Sequence, residues 1–226
     1  MDLGPRSIKE YYEEYLPLGD RLGECFYAVW MVVVTLGLLG GIAGSRLEVL
    51  TVILLAFSVN AVWGIIDGLS VMYGNLINRA KADQVVYDLQ VLNDPGTRGS
   101  AMDALDDTIA AGLSREQKKR ILDEIAAGVP ERDPRTASYR PGKADRRYAL
   151  GIVAIDVLFV IPLVAPLLLL GDLKGGIYWS RLMATAMMAV LGAAYARNLN
   201  RRRWPAVLFL AALGFTVFSI SYATGW

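Results

Sequence analysis

Charged residues fall in blocks along the 226-residue chain, and the gaps between blocks are long. Residues 25–45 are 21 positions without a charge, and 49–78 are 30 positions with one, Asp67. Residues 148–171 are 24 positions with one charge, Asp156; 175–196 are 22 with one, Arg181; 204–226 are 23 with none. A helix needs about 20 mainly apolar residues to cross a bilayer. The pattern therefore predicts an all-α integral membrane protein with five transmembrane helices and a small cytoplasmic helical segment between the second and third. Four regions follow: an N-terminal cytoplasmic or interfacial helix (1–21), a hairpin of the first two spans (22–78), the cytoplasmic helical segment (79–147), and spans three to five (148–226). The short connections at 44–48 and 172–176 make each flanking pair of spans an antiparallel hairpin.

The second span is too long for the membrane. Its 30 residues would rise about 45 Å as a helix, against a hydrocarbon core of about 30 Å. It is expected to run on as one helix through 79–92, where Val85, Val86, Leu89 and Leu92 keep a helical stripe, and to stop at Asn93-Asp94-Pro95-Gly96. Ser100 to Asp103 resembles a capping box, with Met102, Leu105, Ile109 and Leu113 following at helical spacing. Ser114 to Gln117 is a second, followed by Ile121 and Ile125, and Gly128 and Pro130 end that helix. Residues 131–147 read as a charged linker. Before the first span, Tyr11, Tyr12 and Tyr15 stand among Glu10, Glu13 and Glu14. They suit an interfacial helix with aromatic anchors, and a tyrosine–glutamate ligand cluster is the other reading.

Composition sharpens this. The chain is 54% hydrophobic and 20% charged, apolar beyond the ordinary soluble domain. Its formal charge is +1, which excludes a generally basic nucleic-acid binder. Of the 23 Lys and Arg, 20 fall in the N-terminal segment, the 79–147 segment and the turn at Arg197, Arg201, Arg202 and Arg203; only Arg46, Lys174 and Arg181 fall on the other side. The positive-inside bias puts the N-terminus in the cytoplasm and the C-terminus outside. Residues 1–21 lack an apolar run, so no cleaved signal peptide is expected. There is no histidine and one cysteine, Cys25. That removes Ser/His/Asp triads, histidine-ligated zinc and haem, internal disulfides and thiolate clusters. Any metal would be held by oxygen, with methionine sulfur as the other available ligand, which suits Mg, Ca, Mn and Fe(II). No nucleophile–base pair or cofactor motif is present, so no enzyme is expected.

Charges at membrane depth cost at least about 2.5–3.5 kcal/mol on insertion scales, and they mark where function is written. Asn60, Asp67 and Asn75 recur about every seven residues on one face of the second span, with Gly64, Gly68 and Gly74 permitting close backbone approach. That face suits a subunit interface or a hydrophilic path; hydrogen bonding to neighbouring helices is the plainer alternative. Glu24 sits at the mouth of the first span, where it either snorkels or acts. Asp156 lies about two turns into the third, followed by Pro162 and Pro166, each of which removes a backbone donor. Met183, Met187 and Met188 form a stripe better suited to packing than to ligation, and Arg181 is expected to snorkel.

The run Asn60-Ala-Val-Trp-Gly-Ile-Ile-Asp67-Gly-Leu-Ser-Val-Met-Tyr-Gly-Asn75-Leu-Ile-Asn-Arg-Ala-Lys81 resembles the second transmembrane helix of the vacuolar iron transporter (VIT) family. That helix typically reads Asn-Leu-hydrophobic-Ala-Asp-Gly-Leu-Ser-Met-Gly-x-Gly-(Asp/Glu)-Tyr-Leu before continuing into a charged cytoplasmic helix. The five-span layout, the Ile161-Pro-Leu-Val-Ala-Pro166 run and the stretch from Phe26-Tyr27 to Thr35 are similar too, and the likeness is to a divergent bacterial branch. It implies a homodimer in a bacterial inner membrane that moves Fe2+ or Mn2+ out of the cytoplasm in exchange for protons. The path would follow the first two spans at the subunit interface. The metal ion is then a substrate, and no resident cofactor is implied. Asp67 and Ser70 match the motif, and Met72 stands one residue beyond the usual methionine. With Asn60, and with Glu24 and Asp156 as helpers, these are the expected metal-handling residues. Met31 and Asn75 occupy positions that are usually acidic in the family. The acids of the cytoplasmic segment (Asp83, Asp88, Asp103, Asp106, Asp107, Asp123, Glu124) could collect cations or simply form solvated helix faces. The alternative function is a non-transporting VIT-like protein acting as a dimeric interaction or scaffold protein.

Overall fold

The computed structural model describes residues 7–39, 46–130 and 133–224. Arg6, Arg132, Trp226 and residues 44 and 45 of the 44–48 connection lie outside the described residues. Eight α-helices and two 3-10 turns follow one another, with no strand among the described residues. The helices are α1 (Ile8–Tyr15), α2 (Leu18–Leu39), α3 (Arg46–Val91), α4 (Pro95–Asp106), α5 (Arg115–Ala126), α6 (Lys143–Leu170), α7 (Leu173–Asn198) and α8 (Arg203–Thr224). Five of them, α2, α3, α6, α7 and α8, are long and apolar enough to cross a membrane. The all-α, five-span reading holds.

The chain divides into two compact units, one of residues 1–70 and 146–226, the other of residues 71–145. In the first, Val29, Val32, Val33 and Leu36 of α2 meet Val49, Val52, Ile53 and Ala56 of α3, Val160, Leu163, Val164 and Leu167 of α6, Ile177, Ala184 and Met188 of α7 and Phe218 of α8. These side chains interlock at the close packing of a protein interior. Met188 is fully buried and Met187 packs on the same core, whereas Met183 is 41% exposed, so two of the three methionines of the stripe pack. Pro162 and Pro166 lie inside α6, which runs through both. The α6–α7 turn is made by Gly171 at φ +63°, a conformation that favours glycine, and Asp172 then caps α7 by accepting from the Gly175 N–H at 2.7 Å. Along α3, Leu50, Leu54, Val62, Trp63, Ile65, Ile66 and Leu69 remain exposed, a surface suited to lipid contact.

Helix α1 is tied to the start of α6. Ser7 caps it by accepting from the Glu10 N–H at 3.1 Å. The Tyr11 hydroxyl donates to the Arg147 carbonyl, the Arg147 guanidinium donates to the Tyr15 hydroxyl and lies 5.1 Å from that ring, and Leu16 is 1% exposed. Tyr11 and Tyr15 are thus spent on holding α6.

In the second unit α3 continues unbroken to Val91, as its hydrophobic stripe predicts, and stops where Asn93 takes φ +47°. Helix α4 starts earlier than expected. Asp94 is its N-cap, accepting from the Thr97 N–H at 2.8 Å, with Pro95 in the first turn, and Ser100 falls inside the helix. The expected stripe also ends early: Ile109 belongs to a 3-10 turn (Ile109–Gly112) and is fully exposed. The Ser114–Gln117 capping box is present with both bonds, and α5 ends before Gly128 as expected. Leu89, Ala101 and Leu122 form the small core. The 131–147 stretch contains a 3-10 turn (Pro134–Thr136) and the start of α6, with Asp145 9% exposed and paired to Arg79 at 2.6 Å.

Candidate metal centre

Three of the six expected metal-handling residues converge. Glu24 of α2, Asp67 of α3 and Asp156 of α6 each offer a carboxylate oxygen, and the three oxygens lie within 4.8 Å of one another. All three belong to the first unit. Glu24 is 8% and Asp156 2% exposed, while Asp67 is half-buried. Glu24 Oε2 and Asp156 Oδ2 are buried without a hydrogen-bond partner. Among the described residues no Lys or Arg forms an ion pair with any of the three. Buried carboxylates are ordinarily paired or bound to metal. Two buried carboxylates and a half-buried one, none ion-paired among the described residues, concentrate acid without a counter-charge.

Glycine makes the approach possible. A Cβ on Gly64 would stand 2.8 Å from Asp156 Oδ2 and 3.0 Å from the Val153 Cα, and one on Gly68 would stand 2.9 Å from the Ala149 carbonyl oxygen. The small-residue face of α3 therefore packs against α6 of the same chain. Gly64 leaves the space that the Asp156 carboxylate fills, one turn of α3 from Asp67. Asn60 is fully buried on this side of α3. Its Nδ2 donates to the Ala56 carbonyl at 3.0 Å, while its Oδ1 is buried without a partner. It stands two turns from Asp67, about 10 Å along the axis, and adds a neutral oxygen beyond the trio.

The other two expected residues stand apart. Ser70 is exposed on α3. Met72 is 7% exposed, but at about 100° per residue it points some 140° around the helix from Asp67. The helix phase, not the motif, decides which side chains can meet. Most of the cytoplasmic-segment acids are engaged by neighbours: Asp83 accepts from Tyr139, Asp88 from Gln84 and Arg135, and Asp106 and Asp123 pair with Lys118 and Arg98.

Sequence reasoning passed over Asp20. It accepts from the Tyr148 hydroxyl at 2.6 Å. Asp20 lies one turn before Glu24 on α2, and Tyr148 two turns before Asp156 on α6, so the pair sits on the side of the trio toward the starts of both helices. The i, i+4 spacing of Asp20 and Glu24 was the available signal.

Chemically, three carboxylate oxygens at this separation match the reach of one cation. Ligand oxygens 2.0–2.6 Å from a divalent ion lie about 3–5 Å from each other. An all-oxygen anionic set selects hard or borderline ions, Mg, Ca, Mn and Fe(II), over thiolate-seeking ones. No protein-family model matches the chain, and no curated protein matches it in sequence.

Proposed function

We propose that this protein is a membrane carrier of divalent metal cations, Fe2+ or Mn2+, that exchanges the ion for protons at Glu24, Asp67 and Asp156. The observation that carries the proposal is the convergence of three unpaired carboxylates from three different spanning helices. The VIT resemblance of α3 supplies the direction, out of the cytoplasm, and the homodimeric bacterial inner-membrane setting. The charge bias supplies the orientation, N-terminus cytoplasmic and C-terminus outside. Under this reading the ion enters past Asp20 and Tyr148 and is held by the trio, with Asn60 offering the next oxygen. The ion site lies within one chain, between α2, α3 and α6, and the exposed apolar side of α3 is left for lipid or the second subunit.

The mechanism follows from electrostatics. Three anions within 4.8 Å repel by about 3.5 kcal/mol per pair at an effective dielectric of about 20. The site is therefore stable only with added positive charge, delivered either by a metal ion or by protons. The two compete for the same oxygens, which is what an exchanger requires.

The test is uptake of Mn2+ into vesicles holding the reconstituted protein, followed with a fluorescent reporter. Wild type is expected to transport, and Asp67→Asn and Asp156→Asn to lose most of the rate. Undiminished transport in both variants would sink the mechanism. The non-transporting reading draws on Met31 and Asn75, which stand where the family is usually acidic. It predicts no saturable Mn2+ site in an electron paramagnetic resonance titration.

A further inference from the structure

At the membrane surface where α6 ends and α7 begins, a second polar feature lies outside the carboxylate trio. A cleft between α7 and α8, with a volume of about 170 Å³, is lined by Lys174, Ile177, Tyr178 and Arg181 of α7 and by Phe218 and Tyr222 of α8. The α7 residues stand at i, i+3, i+4 and i+7, one face of a helix, and the α8 pair at i, i+4 faces them. Both cations share the cleft, and no acid among the described residues lines it. Asp172, the acid nearest to Lys174 in sequence, accepts from the Gly175 N–H. Arg181 stands eight residues from the first residue of α7, about 12 Å along the helix. Its guanidinium lies 5.4 Å from the Tyr178 ring and 4.7 Å from that of Phe215, and its Nε is buried with no acceptor. The guanidinium thus packs between two rings while its Nε–H keeps no acceptor.

We propose that this cleft binds the phosphate of an anionic phospholipid, with Arg181 and Lys174 donating to its oxygens. A phosphate oxygen is the acceptor that a buried guanidinium N–H lacks, and Arg recognises phosphate through its planar fork. The lipid source follows from the surroundings. Tyr178, Phe215 and Tyr222 are 51%, 42% and 45% exposed, so the cleft opens among aromatic rings on helices that span the membrane, where acyl chains lie. On the charge bias above, Lys174 and Arg181 lie on the outer side, so the lipid is one of the outer leaflet.

The experiment reconstitutes the full-length protein in phosphatidylcholine nanodiscs with a minority of phosphatidylglycerol and counts retained lipid by native mass spectrometry. Wild type is expected to keep phosphatidylglycerol in preference to phosphatidylcholine. Arg181→Gln should lower that retention about tenfold, Lys174→Gln by less, and Arg181→Lys should recover part of it. Lys174 is exposed, so its variant keeps the fold and decides the matter if Arg181→Gln does not fold. Unselective lipid retention by wild type, or unchanged retention in Lys174→Gln together with any folded Arg181→Gln, overturns the proposal. A parallel thermal melt with inorganic phosphate separates the sources: stabilisation by free phosphate, with no phosphatidylglycerol retained, would overturn the lipid assignment.

Discussion

At the scale of single residues, Gly64 sets how closely α3 and α6 bring their acids together. A Cβ there would meet a carboxylate oxygen at 2.8 Å and the Val153 Cα at 3.0 Å, and backbone cannot swing aside. Gly64→Ala is expected to cost about 1–3 kcal/mol in stability through overpacking and to weaken Mn2+ binding by about tenfold, read by paramagnetic resonance titration. Unchanged affinity would show that the close approach does not shape the site. Asp156→Asn separates charge from packing, because the amide has the carboxylate's shape without its charge. With metal removed by a chelator, it should raise stability by removing one repelling partner, while abolishing any Mn2+-induced rise in melting temperature. A fall in stability without metal would mean that Asp156 is held by partners rather than strained by neighbours. Glu24, Asp67 and Asp156 were legible in the sequence because each is an acid at or within a charge-poor run. Their meeting was not, because it depends on how three helices pack. Ser70 shows the converse: a motif match survives in sequence while the helix turns the side chain outward.

At the scale of elements, the boundaries show which local signals dominate. The end of α3 was legible because a left-handed Asn93, a capping Asp94 and Pro95 all point to the same stop. The start of α4 was misplaced because Ser100 to Asp103 also has the spacing of a capping box. Asp94 with Pro95 at the first helical position is the stronger initiator, since it satisfies an otherwise orphaned N–H and fixes φ. The Thr97 backbone N–H bonded to Asp94 holds its carboxyl below the usual carboxylate range. A depressed folded pKa contributes stability above the unfolded value, about 3.9, and that contribution is lost as pH falls through the folded one. Amide exchange at Thr97 and Arg98 should therefore quicken as pH drops below about 4 relative to the intrinsic rate. Asp94→Asn should remove that acid limb while preserving the cap. In α5, Ser114→Ala removes one half of a complete capping box and should cost about 1 kcal/mol, seen as faster exchange confined to the first turn.

At the scale of the whole molecule, the five spans were readable because a bilayer imposes length and apolarity on any helix that crosses it. The carboxylate trio was only half readable, because charge can be counted from sequence and distance cannot. The strongest remaining prediction concerns charge balance. With all three carboxylates ionised the trio carries −3, and one bound divalent cation leaves −1. Two protons in place of the metal leave the same −1, so a swap of two protons for one ion keeps the site's charge constant through the cycle. Moving one net charge across a membrane is worth about 2.3 kcal/mol per 100 mV, so a cycle that moved net charge would respond steeply to voltage. Vesicles loaded with a metal reporter and a pH-sensitive dye should show about two protons leaving per Mn2+ entering, by this charge count. The rate should not change when a potassium gradient with valinomycin imposes a potential. A rate that tracks the potential would mean that net charge crosses with the ion, and the trio could not then be the sole seat of exchange.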